Sequence, residues 1–327
     1  MGGTLQLLGN GQPAVALVAV GMLARLGGQS TVLLFSGTLV AGVGIAICGV
    51  TLPSIIKQRF SQRPGVATAA YSVPMMLGAG LAPSIAVPLA HSLGSWQASL
   101  ASWAIPAMAG MVIWAPAARA ARGRRPTTPS AAGRLPWRSR SAWLLAAFLS
   151  VQSVLAYAYL AWLAPAFQAR GWSAATSGTL LGVLQFAQLV TALVLSALAD
   201  LSGSRDRRPA LIVAVSCTVL GAAALVAAPT AAPWAATIVL GLGLGGGFSL
   251  ALVVLTDLAA TGPAASRLAA MTFLICYSVA AAAPVLLSAL RQATGSYTIV
   301  FALLVALAGG ELASATRLRP ALRGSVR

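Results

Sequence analysis

The sequence predicts an all-α membrane protein of about ten transmembrane helices, four plus six, carrying a parallel internal repeat. Three observations predict it. The first is composition: 58% of residues are apolar and 8% charged, with a mean hydropathy of +0.87, outside the range of water-soluble domains. The second is that the chain says one stretch twice. Gly42-Val-Gly44, an apolar span to Leu52-Pro53, a basic patch from Lys57 to Arg63, a span carrying Pro83, and Gly94-Ser-Trp96 form the first copy. Gly241-Leu-Gly243, a span ending at Asp257, a turn to Arg267, a span carrying Pro284, and Gly295-Ser-Tyr297 form the second. Repeated helix pairs in the same order mean two similar halves. The third is that the basic residues fall almost wholly on alternate loops.

A spanning helix needs about 20 apolar residues to cross roughly 30 Å of hydrocarbon, and must satisfy its own backbone hydrogen bonds. In chain order the spans are Leu5–Leu26, Thr31–Ile56, Gly65–Ala90, Trp96–Ala117, Ala142–Phe167, Ala174–Ala199, Pro209–Ala228, Trp234–Ala259, Leu268–Leu290 and Tyr297–Leu318. The first lacks a basic start and is interrupted by Gly9-Asn-Gly11, so it reads as a mature helix spanning from Gln12 onward rather than as a cleaved signal. Residues 1–117 are then an incomplete four-helix bundle, 118–141 an Arg/Pro-rich linker, and 142–327 a six-helix bundle.

Alternate loops carry Lys57 to Arg63, seven arginines from Arg119 to Arg140, Arg205 to Arg208, Arg267, and the tail from Arg317 to Arg327. That places eighteen basic residues on one side against Arg25, Arg170 and Arg291 on the other. The positive-inside rule then puts both termini in the cytoplasm of an inner, plasma membrane. In this topology the two copies of the repeat run in the same direction. A ten-helix drug/metabolite exporter, five helices paired with five inverted ones, would instead place its copy about 150 residues away with opposite topology.

Gly42-Val-Gly44-Ile-Ala, Leu52-Pro53-Ser-Ile-Ile-Lys57, Phe60, Arg63-Pro-Gly65 and Tyr71 resemble the fourth and fifth helices of the cyanate/nitroimidazole transporter family of the major facilitator superfamily. Gln152-Ser153, Trp162-Leu-Ala-Pro165, Gly171-Trp-Ser173, Gly178, Gln185, Asp200 and Arg207-Arg208-Pro209 extend the resemblance over nearly the whole chain. The resemblance implies a twelve-helix fold whose first two helices lie outside this sequence. It also implies a secondary transporter that moves a small polar or anionic solute by alternating access. Such proteins carry an Asn-Leu-Arg run in their first helix, which nothing here matches. The rival expectation is a product that does not transport, from a truncated or mis-started gene.

Polar side chains inside apolar spans turn to a cavity or to another helix. Gln152 and Tyr159 stand seven residues apart on one helix face, with Trp162 towards the end of the same span. Gln185 and Gln188 lie within the next span, and Tyr71, Thr272 and Tyr277 in the repeated helix pair. These eight are the expected solute pathway, with interhelical hydrogen bonding as the alternative for Gln152, Tyr159 and Gln185, and a place in the interfacial aromatic belt as the alternative for Trp162. The segment Ser196 to Arg208 resembles the loop between the second and third helices of each superfamily half, with Ser196 and Leu201 departing from it. There Asp200 can cap a helix start near Gly65, favoured by the helix dipole, with Arg207 and Arg208 beside it. Pro83 and Pro284 occupy equivalent repeat positions and read as a shared bend at a gate. Glycines inside apolar helices, from Gly42 to Gly247, read as close packing rather than as a phosphate loop. Glu311 is read as an interfacial ion pair with Arg317, the alternative being a proton carrier.

Arginines in short clusters between apolar runs, without interleaved aromatics, exclude nucleic-acid binding. Cys48, Cys217 and Cys276 are scattered, and His91 stands alone, so neither a disulfide framework nor a metal site is indicated. With no Ser/His or His-Glu-x-x-His constellation the chain is expected not to be an enzyme and to need no cofactor. Its expected partners are a small solute, the lipid bilayer and a coupled proton or ion, and it is expected to work as a monomer. The charge asymmetry makes a direct prediction: reporters fused after Arg125, Arg208 and Arg327 should be cytoplasmic, and fusions at His91 and Thr230 external. An external signal from the Arg125 fusion would overturn the orientation.

Overall fold

The computed structural model describes residues 12–59, 64–121, 134–201, 206–318 and 326. Within them, side chains are described except at 49–59, 64–73, 75, 76, 114, 116–121, 196–201, 262 and 263. Nearly every described residue is helical. The order is α1 Gln12–Ala24, a 3-10 turn Arg25–Gly27, α2 Thr31–Arg59, α3 Pro64–Ser92, α4 Trp96–Ser102, α5 Ala104–Ala121, α6 Arg140–Gln168, α7 Ala174–Leu201, α8 Arg208–Ala227, α9 Pro233–Leu258, α10 Gly262–Thr294 and α11 Tyr297–Ala315.

Each of the ten apolar spans falls on a helix, with two corrections. The first helix covers 13 residues from Gln12, and residues 5–11 lie outside the described residues. The fourth span is broken at Trp103 into α4 and α5. Pro106 supplies the reason: it cannot donate to the Ser102 carbonyl four residues earlier, and its ring crowds that carbonyl. Among the described residues, seven helices are long and apolar enough to cross a membrane: α2, α6, α7, α8, α9, α10 and α11. Their termini are written in the sequence. Ser139 accepts from Ala142 N–H at 3.3 Å to cap α6, and Thr261 accepts from Ala264 N–H at 3.3 Å to cap α10. The repeated Gly94 and Gly295 both adopt left-handed backbone, at φ 74° and 67°, where a side chain would be strained.

The chain divides into two compact units. The first comprises Met1–Met75 and Ile85–Pro129; in it α1 packs on α2 and α5. The second comprises Met76–Ser84 and Ser130–Arg327. There α9 packs against α8, α7 and α6, α10 against α6, and α11 against α8 and α6. Its interior holds two apolar clusters, one including Phe148, Leu149 and Val215 near the arginine-rich end, the other including Tyr159, Leu184 and Phe301. Val326 pairs with the end of α9, its N–H donating to Leu258 O at 3.1 Å and its carbonyl accepting from Ala260 N–H at 2.9 Å. Large apolar side chains point outward from both units, Ile113 at 79% and Val213 at 65% exposed among them, as lipid contact allows.

The repeat is visible atom by atom. In the first unit a Cβ on Gly44 would lie 2.6 Å from the Ala14 carbonyl of α1. In the second, a Cβ on the equivalent Gly243 would lie 2.7 Å from the Ala214 carbonyl of α8 and strike Thr218 N. Gly21 and Gly221 repeat the same crossing from the other side, against Gly37 O at 2.6 Å and Ala236 O at 2.7 Å. Backbone-to-backbone contact of this kind is available only to glycine. One pair breaks the symmetry. Gly241 faces the Leu184 carbonyl of α7 at 2.6 Å, whereas Gly42 has nothing within 4 Å. Accordingly Gly241→Val should abolish the folded form in detergent, read as loss of the thermal unfolding transition. Gly42→Val should leave that transition within a few degrees of the native one, a ΔΔG of no more than about 1 kcal/mol.

Candidate functional site

Of the helices of the second unit, α6 carries the most buried polar side chains among the described residues, Ser141, Ser150, Gln152 and Ser153. Gln152 is 1% exposed and its Nε2 donates to the Leu244 carbonyl of α9 at 2.5 Å. The amide reaches that carbonyl because α9 presents glycines there: a Cβ on Gly247 would stand 2.9 Å from Gln152 Oε1. Oε1 itself has no partner among the described residues. Two turns further along the same face, about 10 Å away, Tyr159 is wholly buried. Its ring stands 5.5 Å from that of Phe301, and its hydroxyl is unpartnered among the described residues. Trp162 follows, its ring 6.1 Å from Tyr297 and its indole N–H likewise unpartnered.

Trp162 also borders an open groove of about 480 Å³ that it shares with Pro284, Val285, Ser288, Ala289 and Gln292 of α10. Of the expected pathway residues, the structure therefore brings Trp162 beside Pro284. It pairs the glutamines of α7 with each other, Gln188 Nε2 donating to Gln185 Oε1 at 2.7 Å. Thr272 is fully buried on α10 with an unpartnered hydroxyl. Tyr277 is half-exposed and stacks on Phe273 with centroids 5.6 Å apart. The side chain of Tyr71 lies outside the described residues, as does that of Asp200. Gly65 is the second residue of α3.

At the arginine-rich end two ion pairs form that residue spacing did not disclose. Arg207 Nε stands 3.8 Å from Asp257 Oδ2, joining the start of α8 to the end of α9. Arg208 grips Asp206 through its guanidinium at 2.7 Å and through its backbone N–H at 3.0 Å. These contacts with Arg208, side chain first, hold the half-buried Asp206 carboxyl below the ordinary carboxylate range. The chain has four acids, and two of them, Asp206 and Asp257, pair with arginines at a helix end. Glu311 answers differently. Its expected ion pair with Arg317 does not form; Glu311 is 0% exposed and both its oxygens are unpartnered among the described residues. Six residues of helix rotate Arg317 well away from the buried face, and it lies exposed beyond the end of α11.

Within the second unit, residues 76–84 of α3 lie against α7. A Cβ on Gly178 would be 2.6 Å from the Pro83 carbonyl, and one on Gly182 would be 2.8 Å from the Gly80 carbonyl and would strike Ser84 Oγ. Pro83 thus presents its carbonyl at a seam of small residues, where the two backbones approach closely.

The unpartnered Tyr159 hydroxyl has a consequence for stability. Tyr159→Phe should not lower the thermal unfolding temperature in detergent, because no hydrogen bond is lost. Tyr159→Ala should cost about 3–5 kcal/mol through the cavity it leaves. A clear drop for Tyr159→Phe would mean that the hydroxyl has a structural partner.

Comparison with known proteins supplies the family. The profile of the Major Facilitator Superfamily matches residues 13–284. The chain is 33% identical over 292 residues to the cyanate transport protein CynX of Escherichia coli K12, covering 88% of this chain and 74% of that protein. It is 32% identical over 305 residues to the 2-nitroimidazole transporter of the same organism, covering 90% and 76%. It is 31% identical over 308 residues to the uncharacterized transporter YycB of Bacillus subtilis 168, covering 92% and 75%. A near-continuous series of apolar helices, a repeat built on glycine contacts at equivalent helix crossings, and similarity to transporters along most of its length agree: the chain belongs to the Major Facilitator Superfamily, as a multi-pass membrane protein of its transporter family.

Proposed function

We propose that the chain is a secondary transporter that moves a small polar or weakly anionic solute across the inner membrane by alternating access, as a monomer with both termini in the cytoplasm. One observation carries the reading. Gln152 Oε1, the Tyr159 hydroxyl, the Trp162 indole N–H and the Thr272 hydroxyl are hydrogen-bonding atoms held inside apolar helices without protein partners among the described residues. Native interiors rarely leave such atoms unmet. A solute or its water, entering past Trp162 and moving inward along α6, would meet them. The set offers an acceptor, two hydroxyls and a donor but no charge, which suits a small polar or weakly anionic molecule. Two relatives are named for small solutes, cyanate, a small anion, and 2-nitroimidazole, a small polar heterocycle.

In this reading the Pro83 seam and the Pro284 bend provide movement, while Asp200, Arg207 and Arg208 at the arginine-rich end hold one state closed. Gln185 and Gln188, joined by one hydrogen bond, exchange that bond for the solute as the helices shift, and Tyr71 and Tyr277 complete the lining. The test is uptake of labelled cyanate and of 2-nitroimidazole by liposomes containing the full chain. At least one should enter saturably, and Gln152→Ala or Tyr159→Phe should weaken its half-saturation by about tenfold, the effect of losing one good hydrogen bond. Entry of neither solute would overturn the substrate class, and unchanged kinetics in both variants would remove these residues from the pathway.

A further inference from the structure

Glu311 stands on the buried stripe of α11 with Val300, Phe301, Leu304, Ala308 and Ala315. Ala308 belongs to one apolar cluster of the second unit and Ala315 to the other, so the carboxyl falls between the two. It is 0% exposed, and neither oxygen meets a donor or a cation among the described residues. The two other acids with described side chains, Asp206 and Asp257, each face an arginine. The helices packed on α11 are α6, α8 and α10. Their titratable and charged groups are Arg140, Tyr157 and Tyr159 on α6; Arg208 and Cys217 on α8; and Arg267, Cys276, Tyr277 and Arg291 on α10. None of these bonds to either Glu311 oxygen.

An ionised carboxylate in this place would have lost its water and gained nothing for it, which is among the costliest arrangements a fold can hold. The neutral acid avoids that cost, so the closed packing favours the form that carries a proton. Ionisation requires water or a cation at the oxygens, and neither can arrive until α11 parts from α6, α8 or α10. Gly309 and Gly310, exposed and with no neighbour near enough to demand their small size, leave α11 weakest just before Glu311. A leucine or a glutamine would fill the same space without the penalty, so packing alone does not account for a glutamate.

We propose that Glu311 is a proton-binding site, protonated while α11 is packed as described here and deprotonated when a rearrangement of α11 admits water, so that solute movement is coupled to a proton. The coupling rests on the proposed transport function; the proton site does not. An O–H bond forms on a Glu311 oxygen with a proton taken from water on the side to which the site is open. It breaks to water when the site opens again, and no other bond changes.

Two measurements on the full chain in liposomes test this. The first is infrared spectroscopy at about pH 7, well above the ordinary glutamate value of about 4.3. The native chain should show the carbonyl band of an un-ionised carboxyl that E311Q lacks and E311D keeps. Native and E311Q spectra without that difference would overturn the proton site. The second imposes a gradient of about one pH unit and follows cyanate and 2-nitroimidazole. In the native chain the gradient should drive up to about tenfold accumulation, as one-for-one coupling allows; in E311Q uptake should no longer respond to it, and in E311D the response should return. A full response in E311Q would overturn the coupling. If neither solute moves in the native chain, the transport reading fails, while the infrared band still decides the proton site.

Discussion

The second unit is built on α9, and α9 serves as its centre because its backbone can be touched. Gly241, Gly245 and Gly246 meet α7, Gly243 meets α8, and Gly247 meets the Gln152 amide of α6. In water such helices would be driven together by burial of apolar surface. Between lipid tails that drive is absent, and close van der Waals contact and interhelical hydrogen bonds take its place. A side chain at Gly241, Gly243 or Gly245 would meet the backbone of the neighbouring helix and force the two apart, whereas one at Gly246 or Gly247 would meet side chains. The five glycines weaken α9 as a helix by roughly 1 kcal/mol each in solution terms. The surrounding helices offset that, because a backbone with no water to turn to stays helical.

This arrangement explains which parts of the fold were legible in the residues and which were not. Spans and their ends follow from length, apolar runs, capping residues and left-handed glycines, all local properties. The repeat was legible because it copies whole helix pairs, and the structure shows that equivalent glycines at 44 and 243 perform the same crossing. The break at Trp103 was less so, since the residues from Trp96 to Ala117 read as one apolar span, whereas one helix ends at Ser102 and the next starts at Ala104. Side-chain partners were least legible. Gln152 could as well have faced a cavity as another helix; only the close approach of α9 decides that Nε2 meets Leu244 O.

The two copies also differ in how completely they are enclosed. Gly241 lies under α7, and its counterpart Gly42 is open. The flanking surface of α2 agrees, with Val32 at 76%, Phe35 at 70% and Leu39 at 69% exposure, while α9 places Leu240, Leu244 and Leu250 inside. A repeat seen in sequence alone implies equal environments for equal residues. Here the contacts show that the pattern is kept where it governs the crossing of neighbouring helices. It diverges on the face where α9 has a further neighbour and, among the described residues, α2 has none.

Charge follows the same economy. A chain with twenty-one basic and four acidic residues has no acids to spare for general solubility, so the location of each carries meaning. Asp206 and Asp257 stand at helix ends next to water, where an arginine partner costs little to hold and contributes little to stability, and their value is positional: each ties a basic loop to a particular helix. Glu311 occupies the opposite environment, away from water and from every described cation. The same side chain chemistry therefore does two things in this molecule. Near water it is a fixed negative charge that locates arginines; between packed helices it is a group whose charge depends on whether those helices stay packed.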